Sequence, residues 1–296
     1  MTEKHTSGSG KHLTEQPGKE IIADMNFQYK RLWFFMLNSI VIYILTYFIV
    51  YILSEVICYF IAIGQEIPTQ FYYFEIAYAE SVQWDLVETF SVSVIGPLIV
   101  FFSGMIIFDN FFKFKKLSPY KKMFVAWLAI NGINFFWGSV IAGSFTGIGV
   151  GYTTDMILYP DLFICVFLVL AAIGILAYIG YRTSEFFLTT SPSIYWLQRK
   201  NQTVYLIVTL LIPYIVGNVI IYLVKYPNHV PERPDQVAYD VIVNLSMIFL
   251  ILPILFKRYG FDLTSKIPAK ERTRTVQYQF LIIAILLVLL FRTIFS

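Results

Sequence analysis

The chain has 296 residues, of which 57% are hydrophobic, 18% aromatic and only 14% charged, with a formal net charge of +3 and a mean hydropathy of +0.67. A soluble domain carries about 25% charged residues, so this composition excludes an ordinary soluble enzyme and, with no basic run interleaved with aromatics on a soluble domain, a nucleic-acid-binding module. Two cysteines in different apolar blocks and three histidines outside all of them (His5, His12 and His229) exclude a disulfide framework and a Cys- or His-rich metal site.

In chain order, residues 1–31 read as a polar, disordered cytoplasmic tail, with Ser, Gly and Pro but no apolar period through residue 22. Residues 32–296 read as a single helical transmembrane domain. Its uncharged blocks are Leu32–Ser54, Thr89–Phe108, Met123–Thr154, Leu162–Tyr181, Asn201–Val224, Val241–Phe256 and Thr275–Phe291. A bilayer core of ~30 Å needs about 20 apolar residues; the last two blocks are at the short limit. Runs of this length exclude a membrane β-barrel, whose strands alternate over ~10 residues. Between the first two blocks, Gln65–Glu88 is polar and aromatic, suited to a membrane interface. Phe111–Lys122 pairs Phe with five lysines, suited to an anionic leaflet. Pro97, Pro213 and Pro253 fall inside blocks and predict kinks.

Charge sets the expected orientation. The N-terminal segment and alternate connections carry 19 of the 22 Lys and Arg residues, whereas connections 64–87 and 144–161 carry none. The positive-inside rule then predicts an all-α polytopic protein of a plasma or inner membrane. It has about seven spans, with the N-terminus inside and the C-terminus outside. Eleven of the 19 acids fall on the outer side, a bias that depletion of basic residues there explains.

Polar residues within the blocks need partners in lipid. They are Asn38, Glu55, Asn131, Asn134, Asn218 and Asn244. Asn131 and Asn134, at i and i+3, share a helix face; they either line a cavity or hydrogen-bond across helices. Ser139, Gly143 and Gly147 form a small-residue face suited to close helix packing.

Three segments carry a family resemblance: Ser54-Glu55-Val56-Ile57-Cys58, then Gly96-Pro97-Leu98, then Gly147 through Asp155. Their order resembles the site-2-protease-like membrane metallopeptidases. In that family an intramembrane H-E-x-x-H helix is followed by a G-P-L helix and a later zinc-binding Asp. The resemblance implies that Glu55 matches the general base and Asp155 the third ligand, with Ser54 and Cys58 where the two histidines stand. With those ligands replaced, it implies a vestigial, catalytically inactive site of Ser54, Glu55, Cys58 and Asp155, with no metal and no cofactor. It also puts Glu55 and Asp155 together at the outer side.

Three functions stay open. One is a membrane protein without conventional catalysis that binds or scaffolds another membrane component, with lipids and a membrane-protein partner around it. Another is a small-solute transporter or channel with a polar path past Glu55, Asn131, Asn134 and Asn218. The third is a lipid-handling enzyme using outer-face acids such as Glu75, Glu80, Asp85 and Asp155.

Overall fold

The computed structural model describes residues 17–72, 75–78, 84–114, 117–158, 162–191, 193–226, 234–257 and 277–294. Helix α1 (Pro17–Gly64) runs unbroken for 48 residues. It begins well before Leu32, so Pro17–Arg31 is helical where the sequence predicted a disordered tail; residues 1–16 lie outside the described residues. The physical reason is plain. Proline suits a first helical turn, whose N–H has no partner anyway, and after Gly18 neither Gly nor Pro recurs before Gly64.

The polar-aromatic connection forms strands β1 (Thr69–Tyr72) and β2 (Glu75–Tyr78), antiparallel with Phe71 opposite Ile76. Both of those side chains are buried, the period-two pattern of a ribbon with one covered face. Among the described residues this small sheet is an addition to an otherwise helical chain, in keeping with the all-α expectation. Helix α2 (Leu86–Asn110) starts at a reciprocal cap. Asp85 Oδ1 accepts from the Glu88 N–H at 2.7 Å, and Glu88 Oε2 accepts from the Asp85 N–H at 3.1 Å. A 3-10 turn (Phe111–Phe114) follows, and Phe111 stacks on Phe186 with ring centroids 4.0 Å apart. Phe111 of the Phe–Lys segment therefore packs into the bundle, while Lys113 and Phe114 remain exposed.

Helix α3 (Pro119–Thr146) ends at a corner where Gly147 and Gly149 take positive φ of 67° and 58°, a conformation that glycine adopts without steric cost. The corner breaks the long Met123–Thr154 block and starts the short α4 (Val150–Leu158). Then come α5 (Leu162–Thr189), α6 (Ile194–Leu197) and α7 (Gln202–Leu206). A π-helical turn (Ile207–Leu211), α8 (Ile212–Lys225), α9 (Pro234–Phe256) and α10 (Tyr278–Ile294) complete the chain.

Among the described residues six helices are long and apolar enough to cross a membrane: α1, α2, α3, α5, α7 continued through α8, and α9. This is a helical, membrane-embedded protein. Helix α9 is longer than the predicted sixth block because it includes Asp240, whose charge is matched within the protein. The shorter α10 runs alongside α1. The Gln277 N–H donates to Asn38 Oδ1 at 2.6 Å, Phe280 stacks on Phe124, and Phe291 reaches Phe71 beyond the far end of α1.

Helix α3 is central, packed on α1, α2, α5 and α9. Buried residues make up 67% of its apolar window against 17% for α5, which turns mostly outward. Close crossings use glycine: Gly132 against the backbone of α2, and Gly180 against the Leu250 carbonyl of α9. The interior polar groups pair across helices. Asn131 Nδ2 donates to Thr46 Oγ1 at 2.9 Å, Asn134 Nδ2 to the Val243 carbonyl at 3.0 Å, and the Tyr43 hydroxyl to Asn218 Oδ1 at 2.8 Å. The Trp127 indole donates to Ser39 Oγ, and the Ser39 hydroxyl donates to the Thr209 carbonyl at 2.6 Å. That last bond has a local cause. Pro213 has no N–H for the carbonyl four residues back, and Ser39 of α1 supplies the missing donor.

Candidate functional site

One end of the bundle gathers the last turns of α1, the hairpin, the first turns of α2 and α9, and the Gly147–Gly149 corner with α4. Between them lies a cavity of about 300 Å³, at the lower bound of small-molecule sites. Helix α1 supplies one wall through Tyr51, Ser54, Glu55 and Cys58, one helical turn apart or nearly so. The hairpin adds Glu75, Ile76 and Tyr78; α9 adds Gln236, Tyr239 and Asp240.

The floor is an α1–α2 crossing. Gly96 has no Cβ, which lets the second helix rest directly on the Ser54 carbonyl and the Cys58 sulfur. Pro97 follows it into the lining. The Ser54 side chain is 1% exposed, and its hydroxyl has no hydrogen-bond partner among the described residues. Glu55, next along the chain, is half-buried in the same wall. Its carboxylate lies within electrostatic reach of Lys225, Asp240 and Glu75, with no hydrogen bond or ion pair among the described residues.

Lys225 and Asp240 form a buried ion pair at the side of the cavity. The Lys225 ammonium also sits 3.9 Å from the Tyr51 ring centroid, a cation–π contact. Tyr51 in turn meets Phe135 edge-on, with centroids 5.9 Å apart. The Tyr226 hydroxyl points at Asp240 Oδ2 from 3.4 Å. Burial, reinforced by Asp240, pushes that phenol above its ordinary value, so it stays protonated as a donor. At the mouth Tyr78 and Trp84 meet edge to face at 5.1 Å. Burial, and then the nearby Glu55 carboxylate, raise the Tyr78 phenol as well.

Ser54, Glu55 and Cys58 thus converge on one cavity, and Pro97 and the Gly147–Gly149 corner border it. Asp155 lies in α4, one turn beyond Tyr152 of the lining; its side chain is outside the described residues. Asn131, Asn134 and Asn218 are not part of the cavity and instead hold helices together. Asn244 is buried beside Tyr47 and Tyr222. The lysine–aspartate pair and the aromatic lining went unread in the sequence. The available signal was Lys225, a basic residue at the end of one span, followed by Asp240 at the start of the next.

Among the described residues no group of three or more His, Cys, Asp or Glu side chains could hold a metal ion, whereas zinc needs three or four protein ligands. Nor do Ser54 and Glu55 form a nucleophile–base pair, because adjacent helical residues point in different directions. The arrangement brings carboxyl groups and aromatic rings together around a small hollow.

No family model matches the sequence, and no curated protein or solved structure is significantly similar to it.

Proposed function

We propose that this protein is a membrane-embedded binding protein without conventional catalysis, whose cavity takes a small ligand at the outer end of a seven-span bundle. The single observation that carries the reading is the pairing of polar groups. In the middle of the bundle Asn131, Asn134 and Asn218 are hydrogen-bonded across helices, while at the hairpin end Ser54 and Glu55 line a cavity with no hydrogen-bond partner among the described residues. Burying unpartnered polar groups is costly, and a ligand or water supplies what they lack. The plug formed by Thr46, Asn131, Tyr43 and Asn218 favours a closed-bottomed pocket over a transport path.

The orientation follows from charge: connections 64–87 and 144–161, which border the cavity, carry no Lys or Arg. The pairing of α10 along α1 supports a seventh span, with the N-terminus cytoplasmic. A vestigial site-2-protease-like scaffold is compatible with Gly96–Pro97 packing on Ser54 and Cys58.

Accessibility tests this reading. In a Cys58→Ala/Cys165→Ala background, Tyr152→Cys and Ser93→Cys should both react with a membrane-impermeant thiol reagent added to intact cells. Reaction only after permeabilisation would reverse the orientation. Reaction of Tyr152→Cys without Ser93→Cys would mean that the cavity is closed to the outside.

A further inference from the structure

Resting on that pocket reading, we infer that the cavity binds a small organic cation, an amine or quaternary ammonium group, held between the Glu55 carboxylate and a surround of aromatic rings. The first support is the lining. Tyr51, Tyr78, Trp84, Phe135, Tyr152 and Tyr239 all border about 300 Å³. Aromatic faces carry negative quadrupole density and attract cations, most strongly where water is excluded.

The second support is charge. The acids of the lining are Glu55, Glu75 and Asp240, and the nearby lysine is Lys225, which Asp240 neutralises. The lining therefore presents more carboxyl groups than ammonium groups, and Glu55 makes no hydrogen bond or ion pair among the described residues.

The third is the protein's own precedent. The Lys225 ammonium already lies over the Tyr51 ring while bonded to a carboxylate. This is the same combination of ring and acid that the cavity presents to a guest. The buried Ser54 hydroxyl, without a partner and on the cavity wall, adds a polar contact for a hydroxyl- or amine-bearing ligand.

A bare metal ion fits less well, since oxygen ligands are few and rings dominate. An anion is disfavoured by the same acids. The charge also matches the location, because an acidic outer face concentrates cations near the mouth.

The test uses the full chain in nanodiscs and two probes of nearly equal shape, choline and its neutral carbon isostere 3,3-dimethylbutan-1-ol. Thermal stabilisation and the change in tryptophan emission on titration give the affinities. Choline should bind saturably and roughly tenfold or more tightly than the isostere. Glu55→Gln should erase most of that difference while the protein stays folded, and Trp84→Leu should weaken choline and remove part of the emission change. Equal binding of both probes, unaltered by Glu55→Gln, would overturn the cation assignment and leave a neutral-ligand pocket. Binding of neither probe would also overturn it. In that case the labelling of Ser93→Cys decides whether the pocket itself survives.

Discussion

The middle of the bundle and its hairpin end use the same kinds of residues to opposite effect. In the middle, Asn131, Asn134 and Asn218 are buried, and each finds a partner on a neighbouring helix. At the hairpin end, a serine and a glutamate of α1 stand in the wall of a cavity with none among the described residues. Residue type does not separate the two regions. Among these residues partnering does, and Asn244, buried within a span with its Nδ2 unpartnered among the described residues, is an exception to it.

The comparison can be broken most severely at the boundary between the regions. Asp240→Ala leaves Lys225 buried and uncompensated, and should cost about 3–5 kcal/mol in reversible unfolding from mixed micelles. Replacing both partners by Lys225→Met with Asp240→Leu should recover most of that loss. If the double variant is as unstable as the single one, the pair does more than neutralise itself. Next in size is Gly96→Ala, whose methyl group meets the Ser54 carbonyl and the Cys58 sulfur. It should lower stability by about 1–3 kcal/mol, and a neutral outcome would mean that the two helices part easily there. In the middle, a double-mutant cycle of Asn131→Ala and Thr46→Val should give a coupling of about 0.6 kcal/mol. The smallest effect belongs to Glu55→Gln, which should change stability by no more than about 0.5 kcal/mol because no hydrogen bond is lost. A large destabilisation would show that Glu55 is structurally partnered and erase the contrast.

Much of the membrane architecture was legible because burial in lipid imposes long uncharged runs. The blocks from Leu32 to Phe256 correspond to helices, although Met123–Thr154 contains a corner that its apolar character concealed. Gly147 and Gly149 were the available sign of it. Helix ends were less legible. Pro17–Arg31 is polar enough to resemble a tail, yet no breaker interrupts it after Gly18, and α1 extends through it. Glu55 stood out as a polar residue in a span, whereas Lys225 and Asp240 counted as loop charges, since their meeting depends on how α8 and α9 lie against α1. The hairpin was hidden by brevity: four-residue strands leave too little alternation to read. Tyr51, Tyr78, Trp84 and Tyr239 are unremarkable among 21 tyrosines and five tryptophans until four separate elements bring them around one space.

The π-helical turn at Ile207–Leu211 has a consequence for the azimuth of everything after it. Such a turn, closed by the Ile212 N–H on the Ile207 carbonyl, inserts one residue beyond the ordinary helical repeat. At 3.6 residues per turn, that residue rotates the rest of the helix by about 100°. Deleting a single residue from the stretch would restore a regular ladder, but would swing Asn218 off Tyr43 and carry the Lys225 ammonium round towards the lipid. The cavity's charge balance is thus set four turns away, by a phase shift in one helix rather than by any residue in the wall.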